Sequence, residues 1–337
     1  MTLVDVLISS KESTFGGGER IMIDLYEFLQ IRGFQIKISV PKEASYLESL
    51  FGAERLTTPR WKLRKNNSVL IANDFDSLRE LARFKWKKKM FICHGPWELT
   101  NKKKMFLRAT RTEVYFVSSY VRAFANRGFK LNSRKIHDLN YLPRGSFYES
   151  RTQESQKFAR ETLGIPSEGT YIGAHSRCHP SKRLELFVES VRLAGYTPIL
   201  SLTGKNDSLE SRRIFEKLDK LAQSKNLLLF EDIDPALFLR ATDYYLSTSD
   251  RETLGVSLME ACAMRVPIVT TAKGGTQDFL FNNINCVKVF SDSAKQIAEA
   301  LGKVELLSSK SSRSFPLKKG PIFESSAFGE LLESLSG

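Results

Sequence analysis

The sequence predicts an α/β protein made of two successive units, each with a doubly wound parallel sheet. Strand-like runs alternate with helical patterns in the first half of the chain, and the alternation restarts in the second half after a polar connection. The chain has 337 residues, 42% of them hydrophobic, so it is long and apolar enough to bury a core in each unit.

In the first half, five runs have strand character and three segments place apolar residues at helical spacing. The predicted strands cover 3–9, 35–40, 68–72, 89–93 and 113–117, and the predicted helices cover 19–31, 77–85 and 119–127. A Pro, Gly and Ser stretch at 142–146, followed by a charged segment, predicts an interdomain connection. We therefore place the first domain at 1–155.

The same alternation fills the second half, for which we predict a domain at 156–320. Its predicted strands lie near 170–174, 197–202, 227–230, 244–247 and 267–271, and its predicted helices near 182–193, 208–223, 235–241, 255–264 and 293–307. A last helical pattern at 325–335 falls within a closing segment, 321–337.

The net charge of +13 is concentrated in one half of the chain. Residues 1–150 hold 27 Lys and Arg against 15 Asp and Glu, a net of +12, and residues 151–337 hold 24 against 23, a net of +1. Such asymmetry predicts an anionic partner for the first half: nucleic acid, an acidic membrane surface or an acidic substrate.

The cysteines and the N-terminal run bear on the cellular compartment. Four widely spaced cysteines without a Cys-x-x-Cys pair predict buried, reduced thiols. The opening Leu-Val-Asp-Val-Leu-Ile is too short for a signal peptide, and no run of about 18 apolar residues predicts a membrane span. We expect a cytoplasmic protein.

Three consecutive glycines, Gly16, Gly17 and Gly18, follow the first predicted strand and open the first predicted helix. Glycines at a helix N-terminus let the backbone approach a phosphate or a hydroxyl. Their spacing does not match a dinucleotide site or a P-loop. On these residues alone, a tight turn without a ligand is an equal alternative.

Two cations and two carboxylates follow strands of the second half. Arg177 and Lys182 stand five positions apart at a strand-to-helix loop, where they could hold a diphosphate together. Glu252 precedes a helical pattern and Glu260 lies within it, near the carboxyl end of a predicted strand, where open α/β sheets bind ligands. Taken alone, the glutamates could be a helix N-terminal acid and a surface acid. Together the four residues indicate a sugar nucleotide.

These stretches occur in the order typical of family 4 glycosyltransferases, which the sequence resembles over about residues 1 to 290. The matching motifs are Gly-Gly-Gly-Glu-Arg at 16–20, Ser-Arg-x-x-x-x-Lys at 176–182, Ser-x-x-Glu-Thr-Leu-Gly-Val-Ser-Leu-Met-Glu-Ala at 249–261, Pro267 and Gly274-Gly275. The resemblance implies the GT-B fold: two Rossmann-like domains facing a cleft, with the C-terminal helix packing back on the first domain. It also implies a nucleotide-sugar donor, retention of anomeric configuration and no metal ion or other cofactor.

The resemblance assigns roles to individual residues. Arg177 and Lys182 correspond to the cations on the donor diphosphate, Glu260 to the carboxylate on the nucleotide ribose, and Glu252 to the one on the transferred sugar. The backbone of Thr253, Leu254 and Gly255 would lie beside sugar and phosphate. His94 corresponds to a histidine near sugar and acceptor, and Gly16 to Gly18 would line the cleft from the other side. His94 taken alone is more often a structural histidine.

Some positions depart from the family pattern or suggest another one. Arg265 stands where the family usually has glycine, Leu-Pro-Arg-Gly replaces Asn-Gly-Val near 142–145, and the usual glycine near 284–286 is absent. Asp74-Phe75-Asp76 and Asp232-Ile233-Asp234 imitate the Asp-x-Asp metal signature of another glycosyltransferase fold. We interpret both as helix starts, the second with Pro235 at the first helical position.

The sequence therefore predicts a metal-independent, retaining glycosyltransferase. The expected transferred group is a hexose, and the expected acceptor is a sugar, a lipid-linked molecule or another compound with a hydroxyl group. Two alternatives stay open: a non-catalytic protein that binds sugar nucleotides, and a basic nucleic-acid-binding protein, although no nucleic-acid motif is present. Basic runs with aromatic residues at 83–89 and 102–108 predict peripheral contact with an anionic membrane. A solvated basic face is the main alternative explanation of these runs, and a soluble anionic acceptor is a third.

Overall fold

The computed structural model describes residues 5–11, 16–40, 68–128, 130–132, 135–149 and 151–304. The chain divides into two compact units between Leu142 and Pro143. Each unit has its own parallel β-sheet, which confirms the predicted α/β class. The predicted closing helix at 321–337 lies outside the described residues.

The first unit contains a six-stranded sheet in the order β2-β1-β3-β4-β5-β6, and its described strand pairs are parallel. The strands are β1 (Asp5–Ser9), β2 (Gln35–Ser39), β3 (Val69–Ala72), β4 (Lys88–Cys93), β5 (Glu113–Phe116) and β6 (Ile136–Asp138). The α-helices are α1 (Gly17–Ile31), α2 (Phe75–Leu81), α3 (Asn101–Ala109) and α4 (Ser119–Arg122). Every residue of β3 is buried, as expected for a central parallel strand covered on both faces.

The second unit contains a six-stranded parallel sheet in the order β14-β12-β10-β7-β8-β9, beside a two-stranded sheet, β11-β13. The strands are β7 (Tyr171–Arg177), β8 (Thr197–Thr203), β9 (Leu228–Glu231), β10 (Tyr244–Ser247), β11 (Arg251–Glu252), β12 (Ile268–Thr270), β13 (Lys273–Gly274) and β14 (Cys286–Lys288). The α-helices are α5 (Gln153–Leu163), α6 (Leu184–Leu193), α7 (Leu209–Gln223), α8 (Pro235–Ala241), α9 (Val256–Ala263) and α10 (Ala294–Lys303).

Helix α5 occupies the charged segment for which the sequence predicts an interdomain connection. Thr152 and Ser155 form a capping box at its start, and Gly164 ends it in the left-handed conformation at φ 67°. The buried guanidinium of Arg160 binds the carbonyl of Ala241 at 3.1 Å and the carboxylate of Asp243 at 2.7 Å. These contacts fix α5 to the second unit, so the division falls earlier than the predicted end of the first domain at 155.

Helix α3 was not predicted, because its sequence, NKKKMFLRA, has a weak apolar stripe. In the structure, α3 is held in place by Lys104, which is buried and only 1% exposed. Its ammonium donates to the carbonyls of Phe124 at 2.6 Å and Ala125 at 3.1 Å, and to that of Arg127. Lys104 thus closes the turn after α4 and is not part of a basic surface.

Two names describe positions on the sheets. The carboxyl edge is the end at which the parallel strands finish, and the amino edge is the end at which they begin.

In the second unit, α6 and α10 bury Phe187, Val191 and Leu301 against the sheet. The four cysteines are buried and free, as predicted. Within the described ranges, no helix combines the length and hydropathy needed to cross a bilayer.

Candidate active site

Three loops of the second unit meet at the carboxyl edge of its sheet. They follow β7, β10 and β12, and β10 lies between the other two strands. The backbone N–H of Asp250 donates to the carbonyl of Ser181 at 2.9 Å, and the Thr248 hydroxyl donates to the carbonyl of Lys182 at 2.8 Å. The loops that carry the predicted cations and the first predicted carboxylate are therefore joined.

Lys182 and Glu252 form an ion pair within this site. The Lys182 Nζ lies 2.5 Å from the Glu252 Oε1, and the two side chains are 22% and 13% exposed. Partial burial strengthens such a pair relative to a surface pair. The structure thus brings together a cation predicted to bind phosphate and a carboxylate predicted to bind sugar.

Arg183, which the sequence analysis missed, holds the same loops in place. Its backbone is left-handed at φ 50°, and its guanidinium donates to the carbonyl of Thr248 at 2.6 Å and to the Thr271 hydroxyl at 2.8 Å. Thr271 in turn donates to the carbonyl of Ser249 at 3.1 Å. Arg183 and Lys182 are adjacent in sequence. Sequence spacing alone could therefore not show that Arg183 holds the loops together while Lys182 pairs with Glu252.

Arg177, the other predicted cation, ends β7 and is 37% exposed. Its Nε lies 3.9 Å from the Asp207 carboxylate, and a Cβ at Gly204 would lie 2.9 Å from its Cγ. Gly204 also has a φ of 68°, so glycine is favoured there by conformation and by space. Burial raises the pKa of Asp207, while the charge of Arg177 lowers it. Asp207 was not predicted, because it follows β8, whereas Arg177 ends β7 and the contact between them is not visible in the sequence.

The charges of Glu252 and Glu260 both act on one buried hydroxyl, that of Tyr245. Tyr245 is buried, and its pKa is raised well above the usual range, chiefly by burial and also by the charges of Glu252 and Glu260. Its hydroxyl donates to the carbonyl of His175 at 3.0 Å and accepts the N–H of His175 at 3.1 Å. Glu260 is 3% exposed on α9. Carboxylates eight positions apart in sequence therefore both influence the same buried tyrosine.

Gly255 determines how α9 begins. It has a φ of 83°, and a Cβ there would come within 2.9 Å of the Thr276 Cγ2, so the preceding loop can turn into the helix only with glycine. Leu254 is 6% exposed and anchors this turn. Thr253 lies between that anchor and β11, whose Glu252 pairs with Gly274. The first N–H groups of a helix have no intrahelical acceptor, and they can stabilise an anion.

In the first unit, the predicted residues lie at the carboxyl edge of the other sheet. His94 follows β4, and a Cβ at Gly18 would lie 3.3 Å from the His94 Cε1, so the glycine turn and the imidazole are neighbours. Gly16 is the N-cap of α1, and Gly17 is its first residue. The His94 Nε2 lies 2.9 Å from the Asn73 Oδ1, and its backbone N–H donates to Glu98 at 2.7 Å.

Burial lowers the pKa of His94 to about 4 and raises the pKa of Glu98 to about 7. His94 keeps some solvent contact, while Glu98 is buried. At neutral pH the imidazole is therefore uncharged and can donate one hydrogen bond and accept another. Asn73 and Glu98 are the orienting partners that sequence reasoning missed.

Both Asp-x-Asp sequences start helices, as predicted. Asp74 is the N-cap of α2 and accepts the Ser77 N–H at 2.7 Å. Asp234 is the N-cap of α8, with Pro235 following, and accepts the Leu237 N–H at 3.2 Å. In the part of the chain that the structure describes, no three His, Cys, Asp or Glu side chains are grouped as a metal site requires.

The structure gives a physical reason for glycine at the position of Arg265. This residue has a φ of 59°, and the Val266 N–H donates to the carbonyl of Ala261 at 3.0 Å, which closes the end of α9 as in a Schellman motif. A left-handed conformation costs a residue other than glycine about 1 kcal/mol. Arg265 therefore keeps the usual geometry at a small cost in stability.

Comparison with known proteins gives a family match for most of the second unit. Residues 155–315 match the family described as Glycosyl transferases group 1. The capsular polysaccharide biosynthesis glycosyltransferase CapM of Staphylococcus aureus is 26% identical over 166 residues, which are 48% of this chain and 43% of CapM. The chain thus aligns with less than half the length of that curated relative.

Solved structures match nearly the whole chain in fold. A glycosyltransferase from Rickettsia africae has a TM-score of 0.71 and 18% identity, and the match covers 92% of each chain. The Anabaena protein Alr3699/HepE, in complex with UDP and glucose, has a TM-score of 0.74 and 16% identity, over 98% of this chain and 99% of its own. At these identities, the likeness is one of fold.

Proposed function

We propose that this chain, whose residues 155–315 form a group 1 glycosyltransferase domain within a GT-B fold, is a metal-independent retaining glycosyltransferase. It would move a sugar, most simply a hexosyl group, from a nucleotide diphosphate to an acceptor hydroxyl. The observation that carries the proposal is the Lys182–Glu252 ion pair at the carboxyl edge of the second sheet, where β7 ends at Arg177 and where the charges of Glu252 and Glu260 both act on Tyr245. The Anabaena protein of similar fold binds UDP and glucose.

Arg177 and Lys182 would bind the diphosphate. When the bond from the sugar to the diphosphate breaks, negative charge develops on the leaving oxygen. Without a metal, fixed cations and the first amides of α9 must stabilise that charge. Lys182 already lies beside a carboxylate, so its ammonium charge is held at the point where phosphate and sugar would meet.

The two glutamates would recognise different parts of the donor. Glu260, buried on α9, suits the ribose hydroxyls, because a buried carboxylate accepts strong hydrogen bonds from hydroxyl groups. Glu252, held by Lys182, suits the hydroxyls of the transferred sugar. We assign no carboxylate nucleophile. In the proposed reaction, the acceptor oxygen attacks on the face that the diphosphate leaves, and the leaving phosphate takes the acceptor proton.

The test of this function is sugar transfer in the presence of a chelator. With excess EDTA, transfer from the cognate donor should continue at the rate seen without EDTA, because Arg177 and Lys182 supply the positive charge. The control is the same assay on a glycosyltransferase known to require manganese. Loss of transfer that manganese restores would refute metal independence.

The basic runs of the first unit begin at opposite edges of its sheet. Residues 83–87 precede β4 at the amino edge, whereas 102–108 lie along α3, which starts at the carboxyl edge and ends at the amino edge. The six residues of β4 separate residue 87 from the carboxyl edge by about 20 Å. Within the second run, Lys104 is buried. A membrane surface must be assigned to one edge.

We assign it to the carboxyl edge. Trp97 and Met105 are 63% and 56% exposed there, and Lys102 is exposed on the first turn of α3. An exposed aromatic and apolar pair beside cations suits an anionic bilayer. The surface lies on the same edge as His94, so a lipid-linked acceptor could be presented to that residue.

Vesicle sedimentation tests this surface. Trp97→Ser with Lys102→Gln should reduce binding to anionic vesicles at least ~5-fold, because one lysine near such a surface contributes about 1 kcal/mol. Phe84→Ser with Lys85→Gln is the matched control, since these residues are exposed at the amino edge. Equal losses in both variants, or no binding by the wild type at low salt, would refute the assignment.

A further inference from the structure

The first unit has a small cationic cavity at the amino edge of its sheet, away from His94. It has a volume of about 210 Å³ and is lined by the polar residues Arg108, Arg111, Thr112, Asn132 and Lys135 over an apolar floor that includes Val114. Val114 belongs to β5, and Arg111 follows α3. The cavity is smaller than a typical site for a drug-sized ligand, which suits a compact ion.

Positive charge accumulates around this cavity. Lys135 and Arg111 lie close enough to Lys89 to lower the pKa of its ammonium, after burial, which is the larger cause. The carboxylate of Glu113 is shared among three basic side chains: it lies 3.1 Å from the Lys88 Nζ, 3.9 Å from the Lys135 Nζ and 3.5 Å from the His137 Nε2. The negative charge of Glu113 therefore offsets the positive charge of Lys88 and only part of the positive charge of Lys135.

An anion would normally be repelled at this place, since α3 ends here and helix C-termini carry partial negative charge. The helix end is capped, however. Arg111 is left-handed at φ 53°, its N–H donates to the carbonyl of Arg108 at 3.1 Å, and the Thr112 N–H donates to that of Leu107 at 3.0 Å. The Thr110 hydroxyl donates to the carbonyl of Phe106 at 2.8 Å. These bonds reduce the repulsion.

The conformation of Arg111 adds a second indication. A left-handed residue at this cap is usually glycine, which would cost less. The chain instead places an arginine there, and the ammonium of Lys135, from another segment, donates to the carbonyl of Arg111 at 3.3 Å. Two arginines and a lysine therefore line one cavity, and these residue types suit a tetrahedral oxyanion.

We infer that this cavity is a binding site for a phosphate group, separate from the proposed donor site and independent of the proposed function. The group could belong to a soluble phosphorylated molecule or to a lipid headgroup. Because the cavity lies at the edge opposite the assigned membrane surface, the soluble source fits the fold better.

The test measures thermal stabilisation of the full chain by inorganic phosphate. The background carries Arg177→Ala and Lys182→Ala, so that the proposed donor site does not contribute. In that background, Arg108→Gln with Arg111→Gly should weaken phosphate binding ~10-fold or more, because each lost charged hydrogen bond is worth about a factor of ten. Glycine suits the left-handed position, so the variant should fold. Lys135→Gln, from another segment, should weaken binding in the same direction.

The matched control is Arg83→Gln with Lys85→Gln, which removes two exposed cations from the same edge outside the cavity. It should bind phosphate as its parent does.

A second experiment compares binding to vesicles that contain phosphatidic acid with binding to vesicles that contain phosphatidylserine at equal surface charge. Cavity-dependent binding of inorganic phosphate supports the site with a soluble source. Cavity-dependent preference for phosphatidic acid alone supports it with a headgroup. If the cavity variants match their parent in both experiments, or nothing binds in either, the inference is overturned.

Discussion

Replacing Arg177 and Lys182 together by alanine is expected to lower sugar transfer by about 10²–10³-fold or more, while the protein stays folded. The reason is that both cations are assigned to the charge that develops on the leaving diphosphate, in a site without a metal. Arg177 is partly exposed, and the Lys182 side chain pairs with Glu252 within the site, so neither side chain supports the hydrophobic core. The measurement is kcat/KM for the cognate donor.

The matched control is Arg212→Ala with Arg213→Ala. Both are exposed on α7 of the same unit, so this variant loses the same charge away from the site. It should transfer sugar at the wild-type rate. Wild-type kcat/KM in the Arg177 and Lys182 variant would remove the diphosphate site from the account.

The second large effect should separate the two glutamates. Glu260→Gln should weaken binding of the free nucleoside diphosphate ~10-fold or more, because a buried charged hydrogen bond to ribose is worth about 1.5–3 kcal/mol. Glu252→Gln should leave that binding nearly unchanged and lower kcat instead, since its partner is the transferred sugar. It also removes the negative charge beside Lys182, whose Nζ lies 2.5 Å away.

Glu216→Gln serves as the control, because Glu216 is exposed on α7. Its nucleotide affinity and kcat should equal those of the wild type. If Glu260→Gln binds the nucleoside diphosphate as well as the wild type, the ribose role is wrong. If Glu252→Gln keeps the wild-type kcat, the sugar role is wrong.

The sequence pointed to residues in the loops that follow parallel strands. Lys182 and Glu252 could be found because each follows a strand of clear β character, and parallel strands end at one edge. Arg183, Asp207 and Tyr245 could not be found. Their roles depend on contacts between loops that are distant in sequence, such as the bond from Arg183 to Thr271.

The missed helices have local explanations. Helix α5 begins at a Thr152–Ser155 capping box and ends at Gly164, signals that were present in the sequence and outweighed by its charged composition. Helix α3 depends on the burial of Lys104 against three backbone carbonyls. Burial of a lysine has no sequence signature, so the surface predicted at 102–108 needed the structure to correct it.

The central claim is that the carboxyl edge of the second sheet binds a nucleoside diphosphate through Arg177 and Lys182. The most direct test is a thermal-shift titration of the full chain with UDP, GDP and ADP in the presence of EDTA. The account predicts that at least one of them stabilises the wild type, by about 2.7 kcal/mol at 100 times its Kd. It also predicts that the Arg177→Ala and Lys182→Ala variant loses this effect. Stabilisation by none of the three, or equal stabilisation of wild type and variant, would contradict it.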